Sequence, residues 1–422
     1  MRLPIRALYL AVLFLSAGAA SAQFVQYTPP GGPETPPESR QEELEREIEA
    51  ARYRLGPVRI QPWLRVRDVA YVRSFYSSGV EFPSDFTATV GAGMRGYLRT
   101  GRKVIWAVRA LPEYVWWAEQ SERRRLNGLY GLGAYGFFNR LTVEATAGRE
   151  QEQKIITPEV PQPVSARADG ANLLVEVKVS GAFSVFAASS LVYQENLVDD
   201  LDDPRTAGLD QLDRDERVLR AGVRWRPREK WTISLGAEGS EVEFDRSALD
   251  RSNSGTAPIL GVRLDGARVL AEVSLAARSL EAQQGSNFAD YDNVTGNAAV
   301  TLTTGNFQYG VYGSRNLVYT LTPEYAYLDD ERLGAVLGFT LSRRSQARVF
   351  AETGANDYTV LVPGTPERQD DITSYGGSLR FGLRYTTFIT LSAVRSEFDS
   401  NLPGLDRSYT SVGATIDFFG DR

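Results

Sequence analysis

The stretch FTATVGAGMRGYLR, residues 86–99, alternates along its whole length. Phe86, Ala88, Val90, Ala92, Met94, Gly96 and Leu98 make one row. Thr87, Thr89, Gly91, Gly93, Arg95, Tyr97 and Arg99 make the other. Successive side chains of a strand point to opposite faces. The segment therefore predicts one long strand that is apolar on one side only, where a soluble domain typically uses roughly 5–6 residues.

The same period of two runs from Val58 towards the last residues. Leu173, Val175, Val177 and Val179 oppose Leu174, Glu176 and Lys178, and Leu379, Phe381 and Leu383 oppose Arg380, Gly382 and Arg384. Tight turns are expected at Gly101, Asn139-Arg140, Ser180-Gly181, residues 227–230, Asp265-Gly266, Gly305-Asn306, Arg343-Arg344 and Tyr385-Thr386. Asp-Gly is a strong hairpin signal. Longer polar segments fall between them, among them residues 151–168, 196–216, 245–255 and 354–370. The unit is strand, tight turn, strand, long loop, repeating at about 40 residues to give about 18 strands.

A one-sided strand of this length fits a bilayer. Hydrocarbon offers no water to backbone amides, so a sheet inside it must close on itself. Each strand needs ~9–11 residues to cross at a tilt. The predicted fold is all-β: a transmembrane up-and-down antiparallel β-barrel. A soluble propeller would place four strands in each repeat of about 40–45 residues, whereas this pattern places two. Trp106, Trp225, Trp231, Phe307 and Phe388 near the tight turns, and Trp116, Trp117, Tyr193 and Tyr319 near the loops, fit two interfacial belts. Asp68 and Arg395 fall on the apolar phase. Asp68 calls for a bulge in the first strand or a later start; Arg395 is near enough to a loop to reach the rim.

The region before the strands has another character. Residues 1–22 read as a secretory signal peptide, with Arg2 and Arg6, an apolar run and Ala20-Ser21-Ala22. Residues 23–56 combine a Pro-rich linker with one amphipathic helix. Ser39 and Glu42 fit a capping box, and Gly56-Pro57 a stop. Leu44, Ile48, Ala51 and Leu55 form its stripe. Two readings stand: a solvated helix, or one that plugs the barrel or docks a partner. Residues 57–422 are the barrel.

Composition narrows the chemistry. The chain has 422 residues, no Cys and no His. A His general base, a Ser-His dyad and a His-ligated zinc site are impossible. No loop shows a nucleophile motif, so an enzyme is not expected, and neither is a cofactor. A net charge of -6 argues against nucleic acid as a partner. Carboxylates in residues 196–217 (VDDLDDP, DQLDRDE) read either as a Ca²⁺ site or as a solvated loop. The segment ITPEVPQPVSA, residues 156–166, reads either as an inward constriction or as a surface loop.

The alternating strands, the export signal and the last strand resemble Gram-negative outer-membrane porins over residues 58–419. Ser408, Thr410, Val412, Ala414, Ile416 and Phe418 share one phase and Phe419 follows, similar to the C-terminal signal of that class, although Gly420-Asp421-Arg422 extend past it. The resemblance implies an outer membrane location, contact with lipid and lipopolysaccharide, and insertion by the barrel-assembly machinery. ADYDNVTG and VRSEFDSN look most like the β-barrel porin-2 group, which is associated with exopolysaccharide systems.

With the polar phase as lumen, the basic candidates for solute selection are Arg65, Arg67, Arg95, Arg99, Arg109, Arg220, Arg224, Arg268, Arg380 and Arg384. Rings of Arg favour anions. The expected function is a porin-like channel for polar, anionic solutes. The alternatives are an export barrel for an acidic polysaccharide and a plugged structural barrel, and the other reading of the arginines is that they pair with lumenal Glu and fill the bore.

Overall fold

The computed structural model describes residues 40–76, 81–160, 164–197, 208–245, 250–384 and 387–418. The expected signal peptide, the Pro-rich linker, VDDLDDP and Phe419 lie outside the described residues. One helix, α1 (Arg40–Ala50), precedes the sheet. A short strand β1 (Tyr53–Leu55) pairs with β2 (Val58–Tyr76). Then follow β3 (Glu81–Thr100), β4 (Val104–Trp117), β5 (Arg125–Phe137), β6 (Leu141–Lys154), β7 (Val164–Lys178) and β8 (Phe183–Leu197). The middle of the chain forms β9 (Arg214–Arg228), β10 (Trp231–Phe244), β11 (Asn253–Asp265), β12 (Val269–Ala282) and β13 (Tyr291–Thr304). The last strands are β14 (Phe307–Val318), β15 (Tyr325–Ser342), β16 (Ser345–Val360), β17 (Arg368–Arg384), β18 (Thr387–Ser400) and β19 (Arg407–Phe418).

Each strand from β2 to β19 pairs antiparallel with the next, and β19 pairs with β2. The sheet is thus a closed barrel of 18 long strands, with β1 as an extra edge piece. Seven of the eight predicted turns join neighbouring strands at one end, and the eighth, Tyr385-Thr386, lies outside the described residues.

The exterior explains why closure is required. Val90, Val108, Leu132, Leu219, Leu235, Val300, Val349 and Val412 stand exposed on the outer phase of their strands. A soluble monomer rarely shows a contiguous apolar patch above a few hundred Å², and this wall runs around the whole cylinder. It meets hydrocarbon, and the chain spans a membrane.

Asp68 adopts φ 53, and the β2–β3 register shifts between Arg67 and Ala70. Leu64 faces out before this point, and Val69 and Tyr71 face out after it. Arg67 and Asp68 consequently both point inward and are buried. The expected bulge is present, and it reverses the phase of the strand's upper half.

Several expectations need correction. The strands run further than the apolar alternation: β6 reaches Lys154 and β7 starts at Val164, while β16 reaches Val360 and β17 starts at Arg368. Above the hydrocarbon both faces meet water, so the period-two signal fades although the ladder continues. α1 is shorter than its stripe, because residues 53–55 leave it to pair with β2. Trp117 is not a belt residue: it follows the exposed Trp116, so alternation turns it inward, where it is 1% exposed and Arg123 lies 3.9 Å over its ring. Phe388 also faces inward, under the Arg380 guanidinium at 4.2 Å. Tyr319 packs among the loops, edge-on to Phe244.

Candidate functional site

The bore is lined by charged pairs. At the seam, Arg65 sits opposite Asp417 on β19 and pairs with it at 2.5 Å. Arg67 donates through Nε to Glu113 at 3.0 Å and meets Asp68 at 3.0 Å through Nη1. Further round the wall, Glu176 is shared by Arg224 and by Arg226 at 3.3 Å. Glu238, 3% exposed, is shared by Arg220 at 2.6 Å and Arg278 at 2.9 Å. Buried ion pairs need hydrogen bonds to offset desolvation, and at Glu176 the two arginines supply one to each carboxylate oxygen.

The tight-turn mouth is different, because α1 sits inside it. Leu44, 1% exposed, packs on Tyr97, Ile105 and Tyr135, with Ile48, Ala107 and Phe137 around them. Those wall residues lie on the inward phase of β3, β4 and β5. Arg95 pairs with Glu47 at 3.5 Å, and Arg99 pairs with Glu45 at 3.7 Å. Tyr97 Oη donates to Glu47 at 2.9 Å, and Arg40 donates to Tyr135 Oη at 3.0 Å. Burial holds the Glu47 carboxyl above the ordinary carboxylate value, while Arg95 and Tyr97 draw it back. Burying Leu44 contributes about 1.5–3 kcal/mol. Ion pairs as exposed as these add about 0.2–1 kcal/mol each. The helix is seated by a few kcal/mol.

Arg95 and Arg109 face each other directly across the β3–β4 ladder. Like charges in that position repel. Among the described residues no carboxylate lies within 4.0 Å of Arg109. Its guanidinium lies across Gly131, where an added Cβ would meet Nε at 2.8 Å. Glycine at that position leaves the side chain its room.

At the loop end a segment crosses the bore. Residues 155–160 leave β6 and reach the opposite wall. Glu159 accepts from Thr320 Oγ1 at 2.7 Å, Leu321 N at 2.6 Å and Thr322 Oγ1 at 2.8 Å, with Arg368 at 3.5 Å. Arg407 donates to the Pro158 carbonyl and to Asp370 at 2.9 Å. Arg368 and Tyr358 also donate to Asp370, at 2.8 and 3.1 Å. Val160, Val164, Leu209 and Leu212 pack together beside this bridge. Of the two readings of the Pro-rich segment, the inward constriction is the one observed; residues 161–163 lie outside the described residues.

The ten candidate arginines therefore separate. Arg65, Arg67, Arg220 and Arg224 are in ion pairs with wall carboxylates, and Arg95 and Arg99 with the helix. Arg109 faces the bore. Arg380 lies near Arg65 and Asp417, over Phe388. Arg268 sits exposed in the β11–β12 turn rather than in the lumen, because β12 begins only at Val269, two residues later than the alternation implies. Arg384 ends β17, and its side chain is outside the described residues. Sequence reading missed Glu159, Arg368, Asp370 and Arg407, since they lie where the alternation has ended and only contacts across the barrel reveal them.

The acidic segment 196–217 is described only in part. Asp213 accepts from the Asn196 amide at 2.7 Å, and burial pushes its carboxyl up to about 6. Its carboxyl group ties Asn196 to the end of the β8–β9 loop.

The fold has counterparts among solved structures. OccAB3 of Acinetobacter baumannii is 10% identical, covering 86% of this chain and 99% of that one, with a TM-score of 0.51. OpdO of Pseudomonas aeruginosa is 13% identical, covering 85% and 96%, with a TM-score of 0.51. OccK2 (OpdF) of Pseudomonas aeruginosa, solved with glucuronate, is 11% identical, covering 85% and 97%, also with a TM-score of 0.51. No family model matches the chain, and no curated relative matches it. At these identities the likeness is one of fold.

Proposed function

We propose that the protein is a porin-like channel of a Gram-negative outer membrane, passing small polar, anionic solutes passively through its bore. Its tight-turn end and N-terminal segment face the periplasm on this reading. The observation that carries it is the basic wall at that mouth, where Arg95 and Arg109 stand opposite each other and Arg99 follows. Arginine rings in a wet bore favour anions. The barrel fold shared with OpdO and with OccK2, the latter solved with glucuronate, is consistent with it.

The test is the reversal potential of the full-length mature protein in a planar bilayer under a KCl gradient. Chloride should carry the larger share of the current, and Arg95→Gln with Arg109→Gln should bring the ratio close to unity. A cation-preferring channel overturns the reading. A second reading rests on the two obstructions, α1 in one mouth and residues 155–160 across the other. A plugged structural barrel, or an export conduit for an acidic polysaccharide that opens only with partners, fits them. Such a barrel carries no current in isolation.

A further inference from the structure

We propose that the tight-turn end of the barrel docks on anionic phospholipid headgroups. The contact is a ring of Lys and Arg in the turns, set just beyond an aromatic belt and strongest at the β9–β10 turn. This docking is independent of what crosses the bore; only the assignment of the leaflet to the periplasmic side rests on the orientation proposed above.

Five of the seven described turns carry exposed cations: Lys103, Arg140, Arg228 with Lys230, Arg268 and Arg343. Among the described residues none of these six has a carboxylate within 4.0 Å. Between the strands of the seven turns Glu229 is the sole acid. The arginines on the outer face at the loop end differ. Arg149 pairs with Asp169 at 2.6 Å, Arg217 with Glu243 at 3.0 Å and Arg395 with Glu397 at 2.6 Å. The loop end supplies its own counter-ions, whereas the turn end leaves them to its surroundings.

Aromatic residues fix the depth of these charges. Trp106, Phe138, Phe183, Trp225, Trp231 and Phe307 are exposed at this end, and rings of this kind mark a membrane interface. Lys103 Nζ lies 5.7 Å over the Phe138 ring. Arg228 follows Trp225 by three residues, roughly 7 Å along the barrel axis for a tilted strand. The headgroup layer is about 5–8 Å thick on each side of a bilayer, so the cations lie within it. A polymer in solution gives no reason for cations to sit beside rings that face hydrocarbon.

The β9–β10 turn brings these features together. The register shifts between Trp231 and Ile233, and this bulge sets Arg228 opposite Trp231. Trp231 is exposed on the outer face, opposite Leu264. Directly opposed residues share a face, so Arg228 turns towards lipid instead of following Arg224 and Arg226 to Glu176. Next along the sheet, Phe183 stacks on Trp225 with ring centres 6.1 Å apart. Two cations flanked by exposed rings match a phosphate above acyl chains. Anionic headgroups attract such clusters, each cation favouring them about 5-fold.

The experiment uses the full-length mature protein in phosphatidylcholine vesicles and reads quenching of its tryptophan fluorescence by brominated lipid. Brominated phosphatidylglycerol is compared with brominated phosphatidylcholine, and the ratio of their association constants is the readout. The parent should prefer phosphatidylglycerol by about 5-fold, and the preference should shrink as salt is raised. Replacing the turn cations (Lys103→Gln, Arg140→Gln, Arg228→Gln and Lys230→Gln together) should bring the ratio close to unity. Arg140→Lys with Arg228→Lys keeps the charge and should keep the preference. An unchanged urea midpoint in pure phosphatidylcholine certifies that the variants fold.

Equal association constants for the two lipids in the parent overturn the proposal, as does a preference that survives the four Gln substitutions. Retention of the parent on dextran sulfate in neutral detergent, with no lipid preference, assigns the ring to a soluble polyanion and also overturns it. The lipid ratio is read without current and in either orientation, so a cation-preferring channel refutes the function proposed above and leaves the docking surface standing.

Discussion

At the scale of single residues, the bore is a set of charge balances of unequal tightness. Arg67 is 4% exposed and holds both Glu113 and Asp68. Arg67→Ala leaves Glu113 buried without the cation that holds it, which typically costs about 3–5 kcal/mol. The expected outcome is a matching fall in the urea unfolding free energy in detergent or vesicles. Arg109→Gln removes no partner and should leave that free energy unchanged while lowering the chloride preference. Asp213 behaves otherwise. Its carboxyl, at about 6 in the folded protein, lies above the ordinary value of 3.8. The folded loop therefore binds the extra proton between those values. Its packing is strongest below the ordinary value and weakens as the pH rises through about 6. Protection of the Asn196 amide, corrected for intrinsic exchange, should fall over that window, and Asp213→Asn should flatten the dependence.

Among elements, the decisive ones are those that leave the regular pattern. Residues 155–160 are joined to the far wall chiefly through Glu159 and through Arg407, which donates to the Pro158 carbonyl. Glu159→Ala deprives Thr320, Leu321 and Thr322 of their acceptor and frees the bridge from that wall. Single-channel conductance should rise and its noise increase, with the barrel's unfolding midpoint little changed; an unaltered conductance would show that the bridge does not limit flow. The Pro-rich composition of this segment marked it as a loop but carried no direction. The partners lie on strands distant in sequence, so sequence reading left both the inward and the surface options open. The same holds for α1. Its apolar stripe was legible, and so was its acidic face. Which surface received them was not, because Tyr97, Ile105 and Tyr135 come together only when β3, β4 and β5 are adjacent.

For the whole molecule, the distribution of side chains over two media sets the rules. Val108 is 48% exposed on the lipid side, one residue before Arg109 on the bore side. Val108→Arg should cost about 2–4 kcal/mol in folding into vesicles, as arginine does at mid-membrane. Ala107→Arg, one position away on the inner phase, should cost much less of that penalty, though it will disturb the seat of α1. Equal penalties at both positions would contradict a lipid-facing exterior. The barrel itself was legible in detail: turn positions, strand number, the bulge at Asp68. Each follows from a local rule repeated many times, and repetition averages out exceptions such as Trp117 and Phe388.

The sequence alone determined the closed antiparallel barrel, its apolar exterior and its polar bore, because hydrocarbon imposes a two-residue period that every strand records independently. The tertiary structure decided how the bore is occupied: Glu159 bridging to the opposite wall, carboxylates shared between arginines, and α1 seated on Arg95 and Arg99. These depend on which distant strands face each other across the lumen. Alternation reports the side on which a residue lies and is blind to what stands opposite.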